Sequence, residues 1–424
     1  MEYDMSSIVP LKGPDRVRKR PAVVFGSEGL DGSVAAVKSL LNIFVIEAAL
    51  GCSSGIDIAI HEDNSISIRS YDRGFILDET VVDGKPGWYW DFCEIYCGPR
   101  EMDGNYWLGF GSPHCNLYGT TEIKDSKYQP FVDDSFDLCA VQYVSKFMHV
   151  EVTRDGIKKI LDFEQGFSTS GMHKEKSSGK SNTYIHFLLD TAVFEDTFIP
   201  ANRIGSFLRD FAITIPGINF TLYDKRDNTM YTYHYPNGAQ DYASETTTLS
   251  TPLYIKELEA TGKDRYNRHE YDANVKVLVS FVEKTPKIEC FHNYRILEHG
   301  GHHLKEAKEQ IVKYINWDFL WNSLSDFYDD SKMDVHERCN LRKKLEFSFD
   351  ELSQNIVLLI ITNCTRGASS YENATKKAIV NKMIADMTHD LIGEDFKYYL
   401  KRNHSEVLNI LKKIHEKRNE KTFE

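Results

Sequence analysis

The sequence lacks a hydrophobic run long enough to cross a membrane. Its longest strongly apolar run is IVLLII at positions 356–361, whereas a membrane-spanning helix needs about 20 apolar residues. Residues 1–21 carry acidic side chains early and have no apolar stretch before their basic cluster, so they do not resemble a secretory signal. These absences predict a cytoplasmic protein without a membrane partner.

Positive charge and paired cysteines are also scarce. The chain has 51 basic and 63 acidic side chains, a net charge of −12, which excludes a general attraction to nucleic acids. Of its eight cysteines only Cys93 and Cys97 lie close together, and a zinc site usually needs a second pair. The histidines of HGGHH, His299, His302 and His303, have no matching carboxylate or cysteine spacing. We therefore expect free thiols, a loop before a helix at HGGHH, and no metal site.

What the sequence does contain is typical of a two-domain globular protein. Hydrophobic residues make up 41% of the 424 positions, and charged residues make up 27%. A continuous apolar segment ending at Gly51 predicts a buried helix. Alternating residues predict hairpins over 56–70 and 150–163, and the polar segment 168–182 is typical of a loop. Further on, the pattern predicts strands at 274–282 and 356–362, a helix over 304–323 and two helices over 374–418.

Several segments in one order resemble the DNA gyrase B subunit and its topoisomerase IV relative. They are PLKGPDRVRKRPAVVFG at 10–26, IHEDNSISIRSYDRGF at 60–75, VEVTRDGIKKILDFEQG at 150–166, LRDFAITIPGINFTLYDKRD at 208–227 and EHGGHHLKEAKEQI at 298–311. The resemblance covers the ATPase and transducer regions of that family. It implies an α+β fold: a GHKL-type (Bergerat) ATPase-like sandwich over 1–236, followed by a transducer-like α/β domain (ribosomal protein S5 domain 2-like) over 237–424.

The resemblance also places the residues that would handle a nucleotide. The family's general base falls on Ser39, its magnesium-holding Asn on Ile43, and its adenine-reading Asp on Ser70. Tyr71 and Asp72 occupy the next two pocket positions. Serine is not a base at neutral pH, and isoleucine cannot ligate a cation. The resemblance therefore implies a pseudo-ATPase with no expected cofactor, in which ATP and Mg²⁺ bind only if the altered site still accepts them.

The family's phosphate lid falls near FVDDSFDLC at 131–139. This segment has no glycine and carries three aspartates, Asp133, Asp134 and Asp137. A phosphate cradle needs exposed backbone amides, and like charges at short range repel each other. The segment is therefore not expected to wrap a triphosphate.

Other family positions are kept. Glu47 and Arg73 stand where the family has a structural ion pair between helix and hairpin. Arg154 corresponds to an arginine at the pocket mouth, and Thr183 to a pocket threonine. In the transducer region, ATK at 374–376 places Lys376 where a lysine meets the γ-phosphate. The family residues that this sequence retains are mainly those that hold structural elements together. The family residues that it replaces are those that contact adenine, metal and water.

Three functions are compatible with this pattern. The first is a dimeric binding or scaffold protein whose partner is a topoisomerase subunit or a small molecule. The second is an enzyme with new chemistry in the altered pocket, although its available side chains form no evident nucleophile, base and orienting group by spacing; they are Ser39, Tyr71, Asp72, His114, Asp133, Asp134 and Cys139. The third is an ATP-gated topoisomerase clamp subunit. Since no EGDSA-type motif and no DxD metal pair occurs, the chain alone is not expected to cleave DNA.

An N-terminal arm, residues 1–14 with Tyr3 and Ile8, matches the family's arm that crosses to a second subunit. We expect a homodimer through this arm, and we expect deletion of residues 1–12 to convert the dimer to a monomer. Light scattering of the two proteins measures the mass directly. A monomer in both, or a dimer in both, would contradict arm exchange.

Overall fold

The computed structural model describes residues 11–49, 51–75, 77, 81–95, 100–102, 105–107, 138–263, 270–329, 331–364, 369–372 and 376–422. The chain divides into two compact units, Met1–Pro236 and Asn237–Glu424. The predictions for Tyr3, Ile8, His114 and residues 131–137 of the lid segment lie outside the described residues, whereas Leu138 and Cys139 are buried at the start of a helix.

The first unit contains six helices and thirteen strands among its described residues. The helices are α1 (Asp15–Arg18), α2 (Pro21–Phe25), α3 (Leu30–Ala49), α4 (Gly87–Phe92), α5 (Leu138–Tyr143) and α6 (Ala201–Thr214). The strands are β1 (Gly55–Ile60), β2 (Ile66–Ser70), β3 (Val81–Val82), β4 (Lys85–Pro86), β5 (Arg100–Met102), β6 (Asn105–Trp107), β7 (Ser145–Arg154), β8 (Ile157–Glu164), β9 (Phe167–Ser168), β10 (His173–Lys176), β11 (Asn182–Leu189), β12 (Asn219–Asp224) and β13 (Thr229–His234).

A mixed nine-stranded sheet organises this unit. Its order is β10-β8-β7-β11-β2-β1-β12-β13, with β9 paired to β8, and only β1 and β12 run parallel. The isoleucines of β1 are buried and alternate with the partly buried Asp57 and Ala59, so one face of the sheet forms the core. Helix α6 packs against β12 and β13, and α3 contacts α5 and α6. The end of β2 therefore lies in the middle of the sheet, between β1 and β11.

The second unit combines strands and helices in a separate core. Its helices are α7 (Ala239–Thr246), α8 (His302–Lys313), α9 (Leu320–Asn322), α10 (Val335–Leu345), α11 (Phe349–Ser353), α12 (Lys382–Leu391), α13 (Glu394–Arg402) and α14 (His404–Thr422), with a π-helix at Tyr314–Phe319 and a 3₁₀ turn at Leu324–Asp326. Its strands are β14 (Tyr254–Lys263), β15 (Glu270–Phe281), β16 (Lys287–His292), β17 (Arg295–Ile296), β18 (Gly300–Gly301), β19 (Ile356–Cys364) and β20 (Ala378–Ile379).

The main sheet of the second unit has the order β14-β15-β19-β16-β17. Strand β19 is central and almost wholly buried, which explains its continuous apolar sequence. It pairs antiparallel with β15 and parallel with β16. Parallel pairing brings the ends of β16 and β19 to the same edge, where His292 lies opposite Thr362.

The local patterns confirm most of the predicted elements. Helix α3 ends at Ala49, and both predicted hairpins form, the second through Asp155 and Gly156, which both have positive φ as a type I′ turn requires. Strand β19 covers the run IVLLII. These elements depend on short-range periodicity, which the sequence displays directly.

Three predictions were wrong in detail. The predicted loop 168–182 contains β10, whose four side chains are all exposed and so show no apolar alternation. The C-terminal region forms three helices, because α12 and α13 are separated at Gly393 and α13 and α14 at Asn403. His302 and His303 form the first turn of α8, which begins directly after Gly301.

The described residues include no helix that combines the length and apolar character needed to cross a bilayer. Six cysteines in the described part of the chain are free thiols: Cys52, Cys93, Cys139, Cys290, Cys339 and Cys364.

Two buried histidines make the stability of the second unit depend on pH. His292 and His303 are fully buried, and burial lowers the pKa of each to about 3. An unfolded chain titrates its histidines near pH 6.5, so between these values the unfolded state binds more protons. The free energy of unfolding should therefore fall as the pH drops from about 6.5 towards 3, by about 1.4 kcal/mol per pH unit for each group.

Urea unfolding at several pH values between about 7.5 and 5 measures this dependence. His303→Leu removes one of the two groups and should make the decline shallower by about 1.4 kcal/mol per pH unit. His336→Gln, at an exposed position of α10, serves as the control and should leave the slope unchanged. Equal slopes in all three proteins would contradict the assignment.

Candidate functional site

Helix α3 buries the two positions assigned to catalysis. Ser39 and Ile43 lie one turn apart and are 1% and 3% exposed. The neighbouring side chains Leu40 and Phe44 are fully buried, so this face of the helix contacts the core. Neither Ser39 nor Ile43 carries a group that could act as a general base or ligate magnesium.

The same helix buries one amide that the sequence did not single out. Asn42 is 1% exposed, and among the described residues neither its amide nitrogen nor its oxygen has a hydrogen-bond partner. A buried amide without partners costs about 1–3 kcal/mol. The sequence gave no signal that the Asn42 amide would lack partners. The groups that surround a buried helix come from other elements of the fold.

Ser70 is the last residue of β2, and its side chain forms a hydrogen bond with a second serine. Its Oγ lies 3.0 Å from the Oγ of Ser53, and Ser53 donates its only hydroxyl proton to the carbonyl of Gly55. Ser70 must therefore be the donor to Ser53. Where the resemblance expects an adenine-reading carboxylate, the structure has a fully buried, neutral hydroxyl whose proton is already used.

Tyr71 lies on the other face of the sheet, which separates it from the proposed pocket. Successive residues of a strand point to opposite faces, so Tyr71 points away from the core that holds Ser70. Its ring is 46% exposed, and its hydroxyl donates to Asp57 Oδ2 at 2.7 Å. This hydrogen bond to a carboxylate raises the pKa of Tyr71. Tyr71 therefore uses its hydroxyl on the face opposite Ser70, and its assignment to the pocket stays a prediction.

Asp72 brings a carboxylate to the pocket threonine. It is 5% exposed, and its Oδ1 accepts hydrogen bonds from Gly74 N at 2.8 Å and from Thr183 Oγ1 at 3.0 Å. Thr183 Oγ1 in turn accepts from Phe75 N at 3.0 Å. The structure thus places an acidic group beside Thr183, two residues after the position where the resemblance expected one.

A sequence signal for this arrangement exists in the spacing Asp72-x-Gly74. An Asp side chain often accepts from the backbone two residues on, which stabilises a turn. The contact with Thr183 has no such signal, because β2 and β11 are joined only through tertiary pairing.

Arg154 and Phe75 attach the same turn to its surroundings. Arg154 Nη1 donates to Gly74 O at 2.9 Å, from the end of β7. Gly74 has φ +76°, and a Cβ there would lie 2.4 Å from Thr153 O, so only glycine fits. Phe75 is 1% exposed and its ring lies 5.4 Å from that of Phe44 on α3.

The roles of two further assigned residues stay predictions. The side chain of Glu47 lies outside the described residues, so its ion pair with Arg73 stays a prediction. Lys376 belongs to the second unit, where its ammonium group lies 5.6 Å from the ring centre of Tyr371. Among the described residues, no group of three or more His, Cys, Asp or Glu side chains could hold a metal ion.

Asp72 should be the residue on which the turn depends most. In Asp72→Ala, Gly74 N and Thr183 Oγ1 lose their buried acceptor, so the free energy of unfolding should fall by about 2 kcal/mol or more. Asp227→Ala is a matched control, because Asp227 accepts from Thr229 N in a similar turn but is exposed. Its loss should stay below about 1 kcal/mol. Urea unfolding compares the two variants, and equal losses would contradict the role assigned to Asp72.

Comparisons with known proteins agree with this fold. Residues 238–423 match the family model described as DNA gyrase B. The B subunit of DNA topoisomerase 4 from Streptococcus pneumoniae is 23% identical over 420 residues, which cover 97% of this chain and 57% of that protein. The B subunit of DNA gyrase from Clostridium acetobutylicum is 23% identical over 415 residues, which cover 95% of this chain and 56% of that protein. The chain thus spans little more than half the length of these relatives.

Two solved structures are similar along nearly the whole chain. One is the 43K ATPase domain of Thermus thermophilus gyrase B in complex with an aminocoumarin, with a TM-score of 0.63 and 19% identity, covering 96% of this chain and 94% of that one. The other is the topoisomerase IV ATP-binding domain of Francisella tularensis in complex with a small-molecule inhibitor, with a TM-score of 0.64 and 18% identity, covering 96% and 98%. The predicted GHKL-type α+β fold is confirmed.

Proposed function

Because this chain is similar along nearly its whole length to the B subunits of topoisomerase IV and DNA gyrase, we propose that it is a dimeric binding or scaffold protein that does not hydrolyse ATP. The observation that carries the proposal is the burial of Ser39 and Ile43 at the positions of the base and the metal-holding residue.

Neither position fits a magnesium–triphosphate. Mg²⁺ binds oxygen ligands in near-octahedral geometry, and the alkyl side chain of Ile43 offers none. A positioned general base contributes about 10²- to 10⁴-fold to a rate, and a serine hydroxyl at neutral pH does not supply it. Losing both groups removes the activation of water together with the neutralisation of phosphate charge.

The adenine position is also changed. A carboxylate accepts a hydrogen bond roughly twice as strong as a neutral acceptor does. Ser70 is neutral, and its proton is given to Ser53. Recognition of an adenine amino group at Ser70 would therefore be weak.

One observation favours a second candidate function, a clamp that binds a nucleotide without turning it over. Asp72 keeps a carboxylate hydrogen-bonded to Thr183, the pocket threonine of the family. Lys376 is also retained in the second unit. Asp72 and Thr183 would then hold the base of ATP, and the chemical step would remain blocked.

The partners follow from the same family relationship. We expect a homodimer through residues 1–14 in the cytoplasm, and a topoisomerase subunit or a small molecule as the binding partner. Binding of such a partner would use the surfaces of the protein and would not require turnover.

Phosphate release from MgATP tests the proposal. Purified full-length protein at saturating MgATP should release no more phosphate than a protein-free sample, because neither base nor metal ligand is in place. Lys376→Ala should behave identically. Steady phosphate release that Lys376→Ala abolishes would overturn the proposal.

Calorimetric titration with a non-hydrolysable ATP analogue and Mg²⁺ separates the two candidates. No heat of binding supports the scaffold function alone. Saturable binding that Thr183→Ala weakens, without phosphate release from ATP, supports the clamp without turnover.

A further inference from the structure

A chain of hydrogen bonds in the second unit joins residues that are remote in the sequence. Strand β16 ends at His292, β19 runs parallel to it, and Thr362 is the register partner of His292. Ser369 follows β19 and is partly exposed, whereas His292 and Thr362 are fully buried. His292 Nδ1 lies 2.8 Å from Thr362 Oγ1, and His292 Nε2 lies 3.0 Å from Ser369 Oγ.

The proton positions in this chain follow from donor counting. Thr362 donates its only hydroxyl proton to the carbonyl of Phe291, 2.9 Å away. Thr362 Oγ1 can therefore only accept from His292, so the imidazole carries its proton on Nδ1. Nε2 then holds a lone pair, and Ser369 must donate its hydroxyl proton to it.

Asn293 supplies a further donor to the serine. Its Nδ2 lies 3.2 Å from Ser369 Oγ, while its Oδ1 accepts from Cys364 N at 2.9 Å. This second bond fixes the orientation of the amide, because the oxygen must face the Cys364 amide. An N–H group directed at the serine oxygen would stabilise that oxygen as it gains negative charge.

Asn293 and Tyr294 form the two-residue turn between β16 and β17, and this turn is strained at Tyr294. Asn293 has φ +46° and Tyr294 has φ +67°. A bulky aromatic residue rarely adopts this left-handed conformation, and strain of this kind collects at functional sites.

We propose that Ser369 is a nucleophile activated by His292, oriented by Thr362 and assisted by Asn293, and that it accepts the acyl group of activated esters. The bond from Ser369 Oγ to the carbonyl carbon forms while the serine proton moves to His292 Nε2. The ester C–O bond then breaks, and the leaving alkoxide takes that proton and departs as an alcohol. The products are acyl-Ser369 and the free alcohol.

The surroundings of His292 set the reactivity. Burial lowers the pKa of His292 to about 3, and the charged forms of His303 and Arg295 act in the same direction. The ring of Tyr371 stands edge-on to it at 5.7 Å between centres. Thr362 and these neighbours offer no carboxylate to stabilise an imidazolium, so only activated electrophiles should react. Because His292 stays neutral well above its pKa, the rate should not change between about pH 5 and 9.

A fluorophosphonate–biotin probe tests Ser369 on the full-length protein. In this reaction the Oγ–P bond forms, the P–F bond breaks, and fluoride leaves as the serine proton passes to His292. Peptide mass spectrometry should locate the label on Ser369. Ser369→Ala should lose the label, and Ser370→Ala, the matched control at the next position, should keep it.

Two further measurements separate a nucleophile from a structural hydrogen bond. Thr362→Val removes the acceptor that orients His292 and should slow labelling by about tenfold or more. The second measurement is the labelling rate of the unmodified protein, which should stay constant between about pH 5 and 9. Absence of label on Ser369 in the folded protein, or a rate that His292→Gln and Thr362→Val leave unchanged, would overturn the proposal. The labelling reaction uses no ATP, so its result does not depend on whether the protein hydrolyses ATP.

Discussion

The architecture of the first unit depends on the way one buried carboxylate holds the turn after β2. Asp72 accepts from Gly74 in its own turn and from Thr183 on the neighbouring strand β11. Arg154, at the end of β7, donates to the carbonyl of Gly74. Three strands are thereby tied to one short segment, and the contact of Phe75 with Phe44 attaches α3 to the same point.

The residues that make these packing contacts differ from the two positions that the resemblance assigns to catalysis. The residues that tie strands and helix together are present, whereas Ser39 and Ile43 stand where the resemblance expects the general base and the metal ligand. Burying an isoleucine side chain contributes about 1.5–3 kcal/mol, and an uncompensated acid or amide in the same place would cost free energy. Substitution at these two positions is therefore compatible with a stable helix. The same architecture then serves binding through its surfaces, which is the function that we favour.

The second unit shows how parallel pairing creates an arrangement that no local pattern contains. His292, Thr362 and Ser369 come from two strands and the segment beyond them, and they meet because β16 and β19 end at the same edge. The donor and the acceptor roles of each side chain are both assigned, so the network has a single proton arrangement. Buried polar networks that are fully satisfied favour one conformation of a core.

Local patterns in the sequence determined the helices and strands that carry strong periodicity. Helix α3, both hairpins with the Asp155-Gly156 turn, and the buried strand β19 follow from the spacing of apolar residues within a few positions. The resemblance to the gyrase B family determined the overall fold and located Ser39, Ile43 and Ser70. It could not show which groups those residues contact.

Only the tertiary structure decided the composition of the site. It placed Tyr71 on the face opposite Ser70, brought Asp72 to Thr183, and joined His292 to Ser369. The exposed strand β10 was likewise invisible as a pattern, because all its side chains face solvent. The physical reason is the same in each case: periodicity reports which side of an element is buried, whereas a hydrogen bond between strands far apart in the chain depends on their register.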